Sequence, residues 1–334
     1  MTRTLLLATI PAAVVVGLGV LHLRLGAAPM EFTLIRDAFL AYDSTNYSHV
    51  IVIFQRLTRL AVAVYAGAAL GAAGYLLQKI MQNGLVSPST LGISAGATNF
   101  VVLSVFFFGM SGVAQFIPAL AGGVTAILLT LGVSHILKGQ GDPRLNLVLA
   151  GSMVATLFSA ITTFVVSLDA DGFANLIGWL IGNIGNFDYV ALAPMAPIGA
   201  LAMIAAVIAS RAVDILVLGE EQAAAMGVNV TLVYGGTLLT AVVLAVTAVT
   251  VVGPIGFVGL VVPHMVRSIA GEIGRLSLWL SMVGGAVVLT SADILARTAI
   301  APRVMNVGTV MGFTGGLVFL GLVLWSARRR RSIA

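Results

Sequence analysis

Cysteine is absent from the 334-residue chain, which excludes disulfides and thiolate metal sites. Charge is scarce as well: charged residues make up 9% of the sequence against 59% hydrophobic. No soluble domain could keep that much apolar surface out of water, so the chain reads as an all-α, polytopic membrane protein. The phosphate-cradling pattern G-x-x-x-x-G-K-[ST] occurs nowhere, so no nucleotide is held by that route. The four histidines, His22, His49, His135 and His264, lack the spacing of a metal site. His264 reads as a hydrogen-bonded packing residue. Ion-driven carriers place acids, histidines or lysines at mid-membrane. The first seven apolar runs hold essentially none, and Asp293 sits near a helix end. The energy source is therefore expected outside this chain.

What is present is organised around Gly253-Pro254-Ile255-Gly256-Phe257-Val258-Gly259-Leu260-Val261-Val262-Pro263-His264. It lies in apolar sequence running from Thr231 to Ile269, too long for one span, because a bilayer core holds only about 20 helical residues. Gly253-Pro254 breaks the run. Glycine frees the backbone, proline removes a donor, and the residue before proline is pushed out of the α region. Two helices joined by a tight turn are predicted, the second short and carrying Pro263. Irregular backbone at membrane depth survives only inside protein or beside a water-filled cavity.

Ten spans are expected: Leu5–Leu23, Leu57–Gln78, Leu91–Phe108, Val113–Leu137, Leu145–Leu168, Val190–Ser210, Thr231–Val252, Phe257–Ala270, Leu276–Ala296 and Met305–Trp325. Together they make residues 1–334 a single membrane domain with an external segment at about 26–55. The first run is too long for a signal-peptide core, although Gly26-Ala27-Ala28 resembles a cleavage site. An even count puts both termini on one side. With the termini inside, Arg3, Lys79, Lys138, Arg144, Arg211, Arg267, Arg275 and Arg328–Arg331 are cytoplasmic, while Arg24, Arg36, Arg56, Arg59, Arg297 and Arg303 are outside, in keeping with the positive-inside rule. The net charge of +5 is thus an orientation signal, and no nucleic-acid partner is expected.

Four outer arginines, Arg56, Arg59, Arg297 and Arg303, bear two readings. One is interfacial snorkelling, with Arg297 paired one helical turn from Asp293. The other is a basic patch that meets an acidic partner. Between the sixth and seventh spans, Gly219 and Gly227 bracket a short helix with Glu220 and Glu221 in its first turn, where the helix dipole favours acids. It is either a bare surface helix or a peg that enters a cytoplasmic partner.

Gly92-Ile93-Ser94-Ala95-Gly96 matches the G-x-S-x-G nucleophile pattern, but that motif needs a strand-turn-helix context, and this one opens a membrane helix. Those glycines also fit close helix packing through small residues, as do Gly67/Gly71 and Gly308/Gly312/Gly316.

Gly253–His264 resembles the G-P-I-x-F-V-G-L-x-x-P-H signature of the FecCD family, the permease subunits of ABC importers for iron-siderophores, haem and cobalamin. Other segments follow in family order: Arg56-Leu57-Thr58-Arg59, Gly67-Ala68-Ala69-Leu70, Gln78 through Gly96, Leu149-Ala150-Gly151, Trp179-Leu180-Ile181-Gly182, Gly219-Glu220-Glu221 with Gly227-Val228, and Ala292–Arg297. The resemblance covers about Arg56 to Trp325. It implies a BtuC-like permease of the bacterial inner or plasma membrane that does no covalent chemistry. A second permease, two ATPases carrying ATP and magnesium, a periplasmic or lipid-anchored binding protein and a metal chelate are the partners it implies. Arg56, Arg59 and Arg297 would dock the binding protein. The coupling helix, about 218–228, would present Gly219, Glu220, Glu221, Ala224, Met226 and Gly227 to the ATPases. Asn83 and Leu85 fall at one gate, Asp142 and Pro143 at a second. Gln82-Asn83-Gly84-Leu85 departs from the usual Arg-Asn-Pro-Leu, and Leu57-Thr58 from Leu-Pro; glycine in place of proline loosens the gate loop. The chain itself is expected to bind neither cofactor nor resident metal.

Overall fold

The computed structural model describes residues 2–26, 28–139, 142–185, 189–271 and 274–331. Ala27 of the cleavage-like run, and the side chains of Arg3 and of Arg328, Arg329, Arg330 and Arg331, lie outside that description. Among the described residues every regular element is helical. In chain order they are α1 (Thr2–Arg24), α2 (Phe32–Leu40), α3 (Tyr47–Val50), a π-helical turn (Ile51–Arg56), α4 (Leu57–Ile80), α5 (Ile93–Phe108), a 3-10 turn (Gly112–Gln115) and α6 (Phe116–Ile136). They continue as α7 (Pro143–Leu168), α8 (Ala174–Leu180), α9 (Tyr189–Leu216), α10 (Glu220–Ala225), α11 (Val230–Val252), α12 (Val258–Ala270), α13 (Arg275–Thr298) and α14 (Val307–Arg331).

Each of the ten expected spans is a helix, most with ends within a few residues of expectation, although α9 runs on to Leu216 and α14 to Arg331. Six helices are long and apolar enough to cross a membrane, and four shorter apolar helices accompany them. The second span departs most. α3 and the π turn run into α4 as one rod from Tyr47 to Ile80, 34 residues. At 1.5 Å per residue it is about 51 Å long, more than a hydrocarbon core of about 30 Å can hold. Its first turns therefore stand clear, beside α2, in a small apolar cluster of Leu23, Ile35, Ala38 and Val52.

The middle of the molecule is α4, packed against α13, α11 and α12. Small residues permit this. A side chain at Gly67 would strike the backbone of Gly285 in α13, and one at Gly74 the carbonyl of Gly259 in α12. In lipid, where apolar surface gains little by meeting apolar surface, such backbone approach is what brings helices together. The Gly92/Gly96 pair behaves likewise, Gly96 meeting Gly122 of α6. The third small-residue stripe does so only in part: Gly308 abuts Ile181, but Gly312 faces open space.

Candidate functional site

Three regions carry the polar groups that the apolar helices hold in place. The first lies where the end of α1, the π-helical turn and the start of α4 meet the end of α13. Asp293 on α13 is fully buried. Arg59 donates Nε to its Oδ1 at 2.8 Å, Arg297 Nε lies 3.1 Å from Oδ2, and His22 Nε2 lies 2.8 Å from Oδ2. Arg297 also donates to the His22 carbonyl at 3.2 Å. Arg56 donates to the carbonyls of Leu23 and Arg24 at 2.6 and 3.0 Å. All three arginines are at most 7% exposed. Their guanidiniums are drawn into protein, so snorkelling toward membrane water does not describe them. The pairing of Arg297 with Asp293 one turn away is as expected. The charge balance is unequal, since two guanidiniums share one carboxylate, Arg56 beside them meets only backbone carbonyls, and Arg59 Nη2 is buried without a partner among the described residues. They line a pocket of about 180 Å³ with Gly26, Ala28 and Gln55. Arg303 is exposed and does not line that pocket. Nothing in local spacing revealed His22, which lies 271 residues from Asp293.

The second region gathers the ends of α4, α9 and α12 with the start of α7. Gly219, at φ +125°, opens α10, whose only buried residue is Ala223; Glu220, Glu221, Ala224 and Met226 are exposed, as is Gly227 just beyond. Lys79 pairs with Asp214 at 3.2 Å, and Gln82 donates its side-chain amide to the Val217 carbonyl at 3.2 Å. Gln82 has a left-handed backbone, φ +48°, a conformation costly for a residue with a Cβ. Asn83 accepts from Leu85 N–H and donates to the Arg144 carbonyl at 3.0 Å. Asp142 caps α7 by accepting from Arg144 N–H at 2.9 Å, and Pro143 occupies the first turn. Leu85 is 40% exposed. The structure thus joins both candidate gate segments through a single amide. His264, expected to be hydrogen-bonded, has no ring partner among the described residues and lines an open pocket with Gly84, Arg267 and Ser268.

The third region is the turn after α11. Gly253 adopts φ +77°, and a side chain there would strike the Trp179 carbonyl. Trp179 Nε1 in turn donates to the Thr250 carbonyl at 3.3 Å. Phe257 also takes a left-handed φ, +67°, its ring lying along Gly315 and Gly316 of α14. Pro254 and Gly256 then face an open cavity, while Gly259 and Pro263 are buried in α12. Irregular backbone beside a cavity is what the sequence pattern predicted. The Gly92–Gly96 motif starts α5 without an acid or histidine in that cavity's lining, so Ser94 lacks the base a nucleophile needs. Among the described residues no group of three potential metal ligands occurs.

Comparison with known proteins bears on all three regions. A family model described as the FecCD transport family matches residues 14–325. A probable siderophore transport system permease protein of Bacillus subtilis, YfiZ, is 32% identical over 284 residues, 85% of each chain. The ferric enterobactin transport system permease protein FepG of Escherichia coli is 31% identical over 315 residues, 93% of each chain. A solved structure of an ABC transporter assigned to the metal-chelate type, in an inward-facing conformation, is 25% identical and superposes with a TM-score of 0.77 over 95% of this chain and 97% of the other.

Proposed function

Because the chain belongs to the FecCD transport family, we propose that it is the membrane permease of an ATP-driven importer that passes a metal chelate, foremost an iron-siderophore, into the cytoplasm. Siderophore and iron-citrate permeases among its relatives support that cargo. The chain catalyses no covalent step and holds no cofactor. ATP and magnesium belong to two separate ATPases, which meet α10 on the cytoplasmic face, where both termini also lie. A second permease completes the pathway, and a binding protein delivers the chelate from outside.

The observation that carries the docking role is the outer arginine cluster. Two guanidiniums share one carboxylate, a third lies beside them with only backbone carbonyls as acceptors, an Arg59 N–H is left over among the described residues, and all three line one pocket. Such a site favours an incoming carboxylate, because charge-assisted bonds to guanidinium are the strong ones. An acidic group on the binding protein therefore supplies the second anion the cluster lacks. At the other face, closure of the ATPases pushes α10, and Lys79–Asp214 with Gln82–Val217 carry the push to the loop of Asn83 and Leu85. Rigid tilting of packed helices then alternates access.

The test is the affinity of the binding protein for the assembled permease after Arg56, Arg59 and Arg297 are each changed to Gln. Docking should weaken, and more strongly at low salt, where charges are least screened. Unchanged affinity across salt concentrations refutes the docking role.

A further inference from the structure

The helix that leads to the peg, α9, carries a feature that docking and coupling do not use. Where it lies beside α13, Met203, Ile204, Val207 and Ile208 of α9 and Trp279 and Met282 of α13 line a groove of about 230 Å³. Apart from the Trp279 indole, every side chain in that lining is apolar. Ile204, Val207, Ile208 and Trp279 are between 41% and 70% exposed. The groove therefore opens on the flank of the helix bundle and not into its core.

One end of the groove is charged. Arg211 follows Val207 and Ile208 by one turn of α9, and Arg275 precedes Trp279 by one turn of α13. Each arginine thus stands on the groove face of its own helix. Arg275 donates Nε to Ser210 Oγ at 3.0 Å, which sets the two at the same end. Both are exposed. The bond to Ser210 uses one of the five N–H donors of the Arg275 guanidinium. Among the described residues neither arginine is paired with a carboxylate. Asp214, one turn beyond Arg211, is engaged by Lys79 at 3.2 Å. Two cations without an anion therefore cap an empty apolar slot.

We infer that this is a binding site for an anionic phospholipid of the inner leaflet, with an acyl chain in the groove and the phosphate between Arg211 and Arg275. The inference rests on the importer reading, which puts this end of the bundle in the cytoplasmic half of the membrane. Basic pockets between spans on that side hold anionic headgroups, and guanidinium meets a phosphate through strong, often paired, hydrogen bonds. Trp279 lies between chain and headgroup, the level that an indole favours. A zwitterionic lipid fits the slot less well, because its headgroup brings a cation of its own to the two arginines. The bound lipid braces α9 against α13 just ahead of α10.

Trp279 is a reporter already in place. The complete transporter is set in phosphatidylcholine nanodiscs carrying a series of mole fractions of phosphatidylglycerol, with one of the two lipids brominated on its acyl chains at a time. Bromine quenches indole fluorescence on contact, and the difference between the parent and Trp279→Phe isolates this residue from other tryptophans. Brominated phosphatidylglycerol should quench Trp279 at a mole fraction about tenfold or more below that needed with brominated phosphatidylcholine. Arg211→Gln and Arg275→Gln should each raise the half-quenching fraction about fivefold, as one basic residue at the surface implies. Arg275→Lys, which keeps the charge, should restore most of the loss, and added salt should weaken the preference. Equal quenching of the parent by the two lipids overturns the site, and that comparison involves no charge variant whose misfolding could decide it. A preference untouched by both glutamine changes overturns it too. Quenching needs no transport. If the parent, with its ATPases and binding protein, accumulates no ferric chelate while the preference persists, the importer reading fails and the lipid site stands.

Discussion

The ammonium of Lys79 lies 3.2 Å from Oδ1 of Asp214, tying the last turn of α4 to α9 just before the peg. The pair is partly exposed, with side chains 10% and 34% accessible, so its contribution to stability is at most about 1 kcal/mol. Its consequence should be mechanical. Asp214→Asn is expected to leave ATP hydrolysis near normal and to lower chelate moved per ATP several-fold, with the double exchange Lys79→Asp, Asp214→Lys recovering most of the loss. Uptake and hydrolysis measured together decide it; a parallel fall in both would mean simple misfolding.

Reversing the charge of the peg tests the same route from its other end. Glu220→Lys with Glu221→Lys places cations in the first turn of α10, where the helix dipole disfavours them, and inverts the face proposed to meet the ATPases. ATP hydrolysis uncoupled from transport is the expected phenotype. Normal uptake in that variant would return α10 to the status of a surface helix.

Asp293 is a different kind of site, because breaking a buried ion pair strands its partners. Asp293→Asn leaves Arg59 and Arg297 facing one another with no anion and should destabilise the protein by about 3–5 kcal/mol. His22→Gln, which retains a donor toward Asp293, should cost no more than about 1 kcal/mol. Thermal unfolding in detergent separates the two, and equal losses would mean that the carboxylate is not the hub.

Backbone approach can be probed at the glycines. Gly67→Ala pushes a methyl into Gly285 of α13 and should cost about 1–3 kcal/mol through overpacking. Gly235→Ala in α11 meets nothing within 4 Å and should be neutral or stabilising by up to about 1 kcal/mol. A reversed order in melting temperature would contradict the packing described above.

The ten spans were legible because each is an apolar run bounded by charge, glycine or proline, and the turn at Gly253-Pro254 announced itself by interrupting such a run. The rod from Tyr47 was not, because Gln55-Arg56 reads as the polar edge of a span. In the structure Arg56 turns inward to the carbonyls of Leu23 and Arg24 instead of ending the helix. α8 was missed for its length, seven residues. The outer arginines could be picked out by position. Of their contacts only the Arg297–Asp293 pair could, by its one-turn spacing, since Arg59 and His22 meet Asp293 only after the whole chain has folded and no local pattern records a long-range pair. Arg211 and Arg275 were visible as charges, yet only the packing of α9 beside α13 sets them at the end of one groove.

Trp179 and the Gly253 turn also constrain how the cavity beside that turn can change shape. The Trp179 carbonyl rests on Gly253, and the Gly182 carbonyl accepts from Gly308 N–H at 2.9 Å. α8, the turn and the head of α14 are thereby stitched into one rigid jamb. These three segments therefore shift together or not at all.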